Sequence, residues 1–352
     1  MKQSKIKPLE LADISKYKGE IYGISIIWIM LFHAIAMLKI HFTMGFSFLK
    51  PLDAFIGYGN MGVEVFLFCS GIFLYFSYFR NPNPLVFIKK RLSRLFWPVV
   101  IITGLFWVYK YLVVAHDTSL FLSKLTMMDF WVSGDQQIWF VACILVCYLI
   151  YPYIYAYLFE SKFLNSFLRL VILLAMTALL TLVLRSTYPD VYSNIEIALT
   201  RFPVFFIGCY FGKLVYEKKT LPWYFYLICL ALVIFCFVIL ELGVFKGVWR
   251  RWFYMVGGIP LTFILIWVLN FLKFKPLNKF LAFFGTISLN LYVSHIMVIK
   301  VYQMSPFIEH KRLLHFLVLM VIFVVIAYLA ELLINLITKP RKKKVKETKV
   351  TT

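Results

Sequence analysis

The sequence predicts an all-α integral membrane protein of about ten transmembrane helices with both termini cytoplasmic, and three observations predict it. Hydrophobic residues make up 62% of the chain and charged residues 15%, against about 45–50% and about 25% in a soluble domain. So few charges could not cover a water-soluble surface. Apolar runs recur at the roughly 20-residue length that crosses the hydrocarbon core of a bilayer. Lysine and arginine are distributed unequally between alternate connections, as membrane insertion requires.

Residues 1–20 form a charged lead-in, and no small-residue cleavage site follows the first apolar run, so a retained cytoplasmic segment is expected and not a cleavable signal peptide. Apolar runs then fall at 21–38, 61–79, 95–115, 138–159 and 167–184, followed by 202–216, 223–240, 254–272, 282–302 and 313–338. The sixth is short enough to be tilted or broken. Residues 21–338 read as one membrane domain and 339–352 as a basic cytoplasmic tail. With the N-terminus inside, 25 of the 37 Lys and Arg lie in cytoplasmic segments and 12 in or near outer loops. The positive-inside rule then sets the orientation, and an odd number of helices would break the pattern.

The net charge of +21 belongs to that topology. Basic residues at cytoplasmic helix ends, and the tail KPRKKKVKETK, suit anionic lipid headgroups. No soluble basic domain is left over to bind nucleic acid. All six cysteines sit inside apolar runs without metal-ligand partners beside them, so buried thiols are expected, with no metal site and no permanently bound cofactor. No inverted repeat is visible, which weighs against a secondary transporter. Oligomeric state leaves no mark in the sequence.

Ionisable residues inside spans cost about 2.5–3.5 kcal/mol each at the membrane centre, which makes each one a functional candidate. His33 lies about 12 residues into the first run, or ~18 Å along a helix, in the outer half of the membrane. Glu64 sits just inside the outer end of the second run, where a carboxylate could orient an imidazole such as His33. His295 reaches a similar depth in the ninth run. Bland readings stand beside these: His295 bonding a backbone carbonyl on a neighbouring helix, Glu64 snorkelling to the interface, and Glu331 snorkelling at the inner end of the last run. Lys90, Arg91 and Arg94 suit any cytoplasmic connection, yet Arg91 and Arg94, three apart at a helix start, share a face that could clamp a phosphate. His41, His116, His310 and His315 fall in outer loops or at outer helix ends, where solvation is expected.

Six segments, in order along nearly the whole chain, resemble the acyltransferase-3 family of membrane-bound acyltransferases. The first run carries His33 toward its end, GVEVFLFCSGIFL supplies Gly62, Glu64, Phe66, Ser70 and Gly71, and FIKKRLSRLFWP supplies Arg91, Arg94 and Pro98. QIWFVACILVCYLIYP opens with Trp139 and Phe140 and closes at Pro152. RFPVFFIGCYFGK supplies Arg201, Phe206, Gly208 and Gly212, and FGTISLNLYVSHIMVI supplies Gly285, Ser288, Tyr292 and His295. In one respect the chain departs from the family: Tyr22 stands where an arginine is usual eleven residues before the histidine, and Lys18 lies one turn earlier.

The resemblance implies transfer of an acyl group, expected to be acetyl, from cytoplasmic acyl-CoA to a hydroxyl of a cell-surface glycan or lipid-linked precursor in a bacterial plasma membrane. His33 is then the expected general base and Glu64 its orienting partner. Arg91, Arg94, Lys18 and Lys90 are the expected coenzyme ligands, with His295, Tyr292, Ser70, Trp139 and Arg201 as further site candidates. No extracellular hydrolase-like domain is expected after the last run, so the membrane domain would handle the acceptor itself. A glycan exporter or flippase is the alternative, and it would need a continuous polar path that few embedded charges are available to line.

Overall fold

The computed structural model describes residues 8–40, 42, 48, 50–304 and 313–338. The expected residues His41 and His310 and the basic tail 339–352 lie outside the described residues. The chain enters through β1 (Leu9–Glu10) and a single turn, α1 (Asp13–Lys16), and then forms α2 (Lys18–Leu38), α3 (Lys50–Gly57) and α4 (Met61–Arg80). Next come α5 (Pro84–Trp107), the short α6 (Thr118–Leu125) and α7 (Met128–Ser133), and α8 (Trp139–Tyr155). Segments of π-helix, Val108–Val114 and Ala156–Glu160, prolong α5 and α8. After α9 (Ser166–Thr187), α10 (Pro189–Leu199) and α11 (Phe202–Tyr216), β2 (Thr220–Leu221) pairs antiparallel with β1. The chain closes with α12 (Phe225–Glu241), α13 (Val248–Leu272), α14 (Lys275–Thr286), α15 (Ser288–Gln303) and α16 (Leu313–Thr338).

Among the described residues, eight helical spans are long and apolar enough to cross a membrane, and α14 with α15 makes a ninth if that bent pair is one span. The remaining apolar run is α12, 17 residues long. Every apolar run in the sequence therefore meets a helix, as an all-α membrane protein requires. Three boundaries differ from expectation. The third helix starts at Pro84, more than two turns before residue 95, because Asn83 caps it by accepting a hydrogen bond from the Val86 amide at 3.1 Å and Pro84 occupies the first turn. The basic residues Lys90, Arg91 and Arg94 are thus inside a helix and not before it. The sixth span gains α10 and runs from Pro189 to Tyr216. The ninth run does not form one straight helix: it breaks at Ile287 with a bend of 69°.

Burial ranks the helices. In α4, 72% of the membrane-length window is buried, against 22% in α9 and α16, so α4 is central and the other two face lipid. Small residues let the central helices approach closely, the packing mode that membranes favour. A Cβ at Gly208 would lie 2.2 Å from the Phe68 carbonyl oxygen, which fixes α11 against α4. A Cβ at Gly23 would lie 1.9 Å from the Leu281 oxygen, so α2 and α14 touch backbone to backbone. All six cysteines are buried and free. Contacts of α14 with the start of α2, and of Glu331 near the end of α16 with Asn290 near the start of α15, put the start of α2 and the end of α16 at one end of the bundle. Glu331 accepts hydrogen bonds from Asn290 at 2.9 Å and Asn335 at 3.2 Å, so an amide pair holds it where snorkelling was expected. His315 is likewise engaged, 3.4 Å from the Tyr302 hydroxyl.

Candidate functional site

Helix α2 runs through the middle of the site. Its first residue, Lys18, faces one end of the bundle, and His33, 15 residues or ~22 Å further along, faces the other. A cavity enters from each end. The first, a slot of about 80 Å³, is lined by Lys18, Ser70, Arg91 and Arg94 among others. The second, about 490 Å³, is lined by His33, Trp139 and Arg201 among others. Both cavities share Ile29 of α2, Val63 of α4 and Tyr292 of α15 as walls. They therefore meet back to back at a seam of three residues near the level of the histidine.

The cationic slot is built from the start of α2 and the third and fourth turns of α5. Arg91 and Arg94 project about 60° apart on α5. The Arg91 guanidinium stacks on Phe87 at 5.3 Å and Tyr148 at 5.8 Å, and its Nε is buried without a hydrogen-bond partner among the described residues. The Lys18 ammonium lies 4.4 Å over the Phe73 ring, and Tyr22, one turn on, lines the same slot. Lys90, expected beside the arginines, is exposed and does not line the slot.

At the opposite cavity the imidazole of His33 has a different partner from the one expected. His295 Nε2 lies 3.1 Å from His33 Nδ1, and the ring centroids are 4.9 Å apart. His295 is fully buried, and its Nδ1 lies 2.8 Å from the Leu291 carbonyl oxygen of its own helix. A carbonyl accepts only, so Nδ1 of His295 carries the hydrogen and Nε2 of the neutral ring is an acceptor. His33 Nδ1 faces two acceptors, that Nε2 and the Ile29 oxygen at 3.0 Å, and must therefore be protonated. The lone pair of neutral His33 is then on Nε2, which is unpaired among the described residues, in a side chain that lines the wider cavity. Two backbone carbonyls set the tautomers of both rings.

Glu64 does not orient His33. Gly62 faces α2, packed on the Ser25 oxygen, and Glu64 is turned about 200° from it around α4, toward α11 and α13. There its carboxylate lies 3.0 Å from the Arg201 guanidinium, both groups almost wholly buried, and Gly258 leaves room for its Cβ. An isolated buried carboxylate costs far more than a paired one, so the cation decides its place. Arg201 also donates to the Ile197 oxygen at 2.9 Å and lies 4.8 Å over the Trp139 ring. Glu64 touches the cavity only through Arg201.

Tyr292 stands at the seam with its hydroxyl accepting from the Phe140 amide at 3.3 Å. That contact uses a lone pair and leaves the hydroxyl proton free for an acceptor at the junction of the cavities. Among the wide-cavity residues that went unnoticed in the sequence, Asn60 and Gln137 have amide oxygens that are buried without partners among the described residues. The polar cluster SGDQQ just before Trp139 was the available signal.

A family model described as an acyltransferase domain, acyltransferase family 3, matches residues 23–332, most of the 352-residue chain. The chain belongs to this acyltransferase family. Searches of curated proteins and of solved structures each returned no match. The family match makes the molecule a membrane acyltransferase, and its span takes in His33, the seam, the wide cavity and the cationic slot apart from Lys18 and Tyr22.

Proposed function

We propose that this acyltransferase moves an acetyl group from acetyl-CoA, entering from the cytoplasm, to a hydroxyl of a cell-surface glycan or its lipid-linked precursor on the outer side of a bacterial plasma membrane. The observation that carries this reading is the pair of cavities sharing Ile29, Val63 and Tyr292, with cations in one and His33 beside the seam in the other. The coenzyme's phosphates are met by Arg91, Arg94 and Lys18 at the mouth of the narrow slot. Its slender pantetheine arm suits a slot of about 80 Å³, which is too small for a sugar chain and argues against glycan export by this route.

At the seam, Nε2 of His33 takes the proton of the acceptor hydroxyl as its oxygen attacks the thioester carbonyl. The free hydroxyl proton of Tyr292 stabilises the developing oxyanion. Collapse breaks the carbon–sulfur bond, the thiolate takes the proton back from His33, and an ester and free coenzyme A leave by opposite faces. His295 keeps the His33 ring turned with Nε2 outward and shares the charge of the imidazolium. Mass spectrometry of surface glycan tests the reaction: a deletion strain should retain the glycan and lack its O-acetyl groups. Absent glycan with accumulated intracellular precursor would overturn acetyl transfer in favour of export.

A further inference from the structure

The narrow slot ends at the seam, and the residues there have little freedom to move. Four lining residues form a row of rings: Tyr22 stacks on Phe66 at 5.0 Å between centroids, Phe66 meets Phe140 at 6.0 Å, and Phe140 meets Tyr292 edge to face at 5.2 Å. Beside Tyr292, the seam is closed by two branched aliphatic side chains, Ile29 and Val63. Both are buried, as a partition between two cavities must be. Ile29 cannot give way toward α4, because a Cβ at Gly62 would lie 3.0 Å from its Cγ1 and 3.2 Å from its Cδ1. Its carbonyl oxygen is the one 3.0 Å from His33 Nδ1, so the aliphatic stop stands one helical turn from the base.

An acyl-CoA in this slot leads with its acyl group. The thioester carbonyl has to stop where Nε2 of His33 can serve the attacking hydroxyl, and whatever the acyl group carries beyond that carbon must fit against Ile29 and Val63. Acetyl carries a single methyl. Each further methylene either strains packed side chains at the seam or draws the coenzyme's phosphates away from Arg91 and Arg94, and both weaken binding. We propose that Ile29, together with Val63, is the acyl-length gauge of this acyltransferase, admitting acetyl and excluding butyryl and longer chains. The gauge rests on the coenzyme occupying the cationic slot, and it names the specificity determinant of that same site.

The test is competition among acetyl-, propionyl-, butyryl- and hexanoyl-CoA for the purified full chain in nanodiscs, with no acceptor present. One methylene too many in a filled apolar site costs about 10- to 200-fold, so wild-type affinity should fall at least about tenfold from acetyl- to butyryl-CoA. Ile29→Ala, which removes the side chain beyond Cβ and keeps the carbonyl that holds His33, should erase most of that fall. Val63→Ala should act in the same direction, and Ile29→Val, shorter by one methyl group, should relax discrimination against propionyl-CoA more than against hexanoyl-CoA. Free coenzyme A has no acyl group to meet Ile29, so its affinity reports the folding of each variant; where Ile29→Ala fails to bind it, Ile29→Val carries the test. No fall with chain length in wild type, or a steep fall that survives these substitutions in folded protein, would overturn the gauge. Wild-type protein that binds coenzyme A without regard to acyl length removes the gauge alone, whereas wild-type protein that binds no coenzyme A removes the donor reading beneath it.

Discussion

Nε2 of His295 stands 3.1 Å from Nδ1 of His33, joining α15 to α2 at the wall of the wide cavity. The sequence had suggested a carboxylate in that position. A neutral imidazole whose other nitrogen is tied to a backbone carbonyl serves the same orienting purpose, because it too presents an acceptor. It brings no buried negative charge into the apolar centre of the bundle, where a carboxylate would need its own cation.

Removing the second ring should therefore slow chemistry without affecting the donor. His295→Ala leaves His33 Nδ1 with only the Ile29 oxygen and frees the ring to turn. Loss of a hydrogen bond worth about 1–3 kcal/mol implies turnover reduced roughly 5- to 150-fold. Affinity for acetyl-CoA, measured by titration in nanodiscs, should remain at the wild-type value. A parallel loss of donor affinity would place His295 in the structural core instead.

The Glu64–Arg201 pair predicts a stability effect. Glu64→Gln strands a buried guanidinium and should cost about 3–5 kcal/mol, whereas replacing both residues with apolar ones of similar volume should cost much less. Thermal melting of both single variants and the double variant in detergent gives the coupling. Additive losses would show that the two charges do not depend on each other.

The arginines of α5 predict a donor-affinity effect. Arg91→Gln with Arg94→Gln should weaken acetyl-CoA binding by about 1.5–3 kcal/mol for each charge-assisted bond lost. A truncated pantetheine thioester, which lacks the distal phosphates, should lose much less. Lys90→Gln, at an exposed position off the slot, should leave both affinities unchanged.

Outside the spans, Lys124 offers a pH signature. Burial lowers the affinity of its amine for the proton, but hydrogen bonds that the ammonium donates to the carboxylates of Asp129 and Asp135 more than offset this and hold its pKa above the usual lysine value. A raised folded value contributes stability that is full below the unfolded value, about 10.4, and is lost as pH rises through the folded one. The melting-temperature gap between wild type and Lys124→Met should stay constant from about pH 6 to 9 and shrink only above about 10.5. A gap that closes near neutrality would contradict this pairing.

Much of this architecture was legible because bilayer physics writes directly into composition: every apolar run became a helix, and His33 and His295 were placed at matching depth from residue counts alone. Facing directions were harder. Whether Glu64 turns to α2 or α11 depends on which side of α4 each neighbour packs, which Gly62 and Gly258 decide by contact and which no single-helix pattern reveals. The bend at Ile287 was hidden for a similar reason, since residues 282–302 have the length of one span and no proline marks the break. Asn60 and Gln137 were missed because an unpaired amide is recognisable only once its surroundings are built.

The most direct test of His33 as the base is the O-acetyl content of surface glycan in a deletion strain complemented with wild-type protein or His33→Ala. General-base catalysis contributes about 10²–10⁴-fold, so the variant should insert in the membrane at wild-type level, bind acetyl-CoA with unchanged affinity and leave the glycan essentially free of acetyl groups. Wild-type acetylation by an equally expressed His33→Ala protein would contradict the mechanism at its centre.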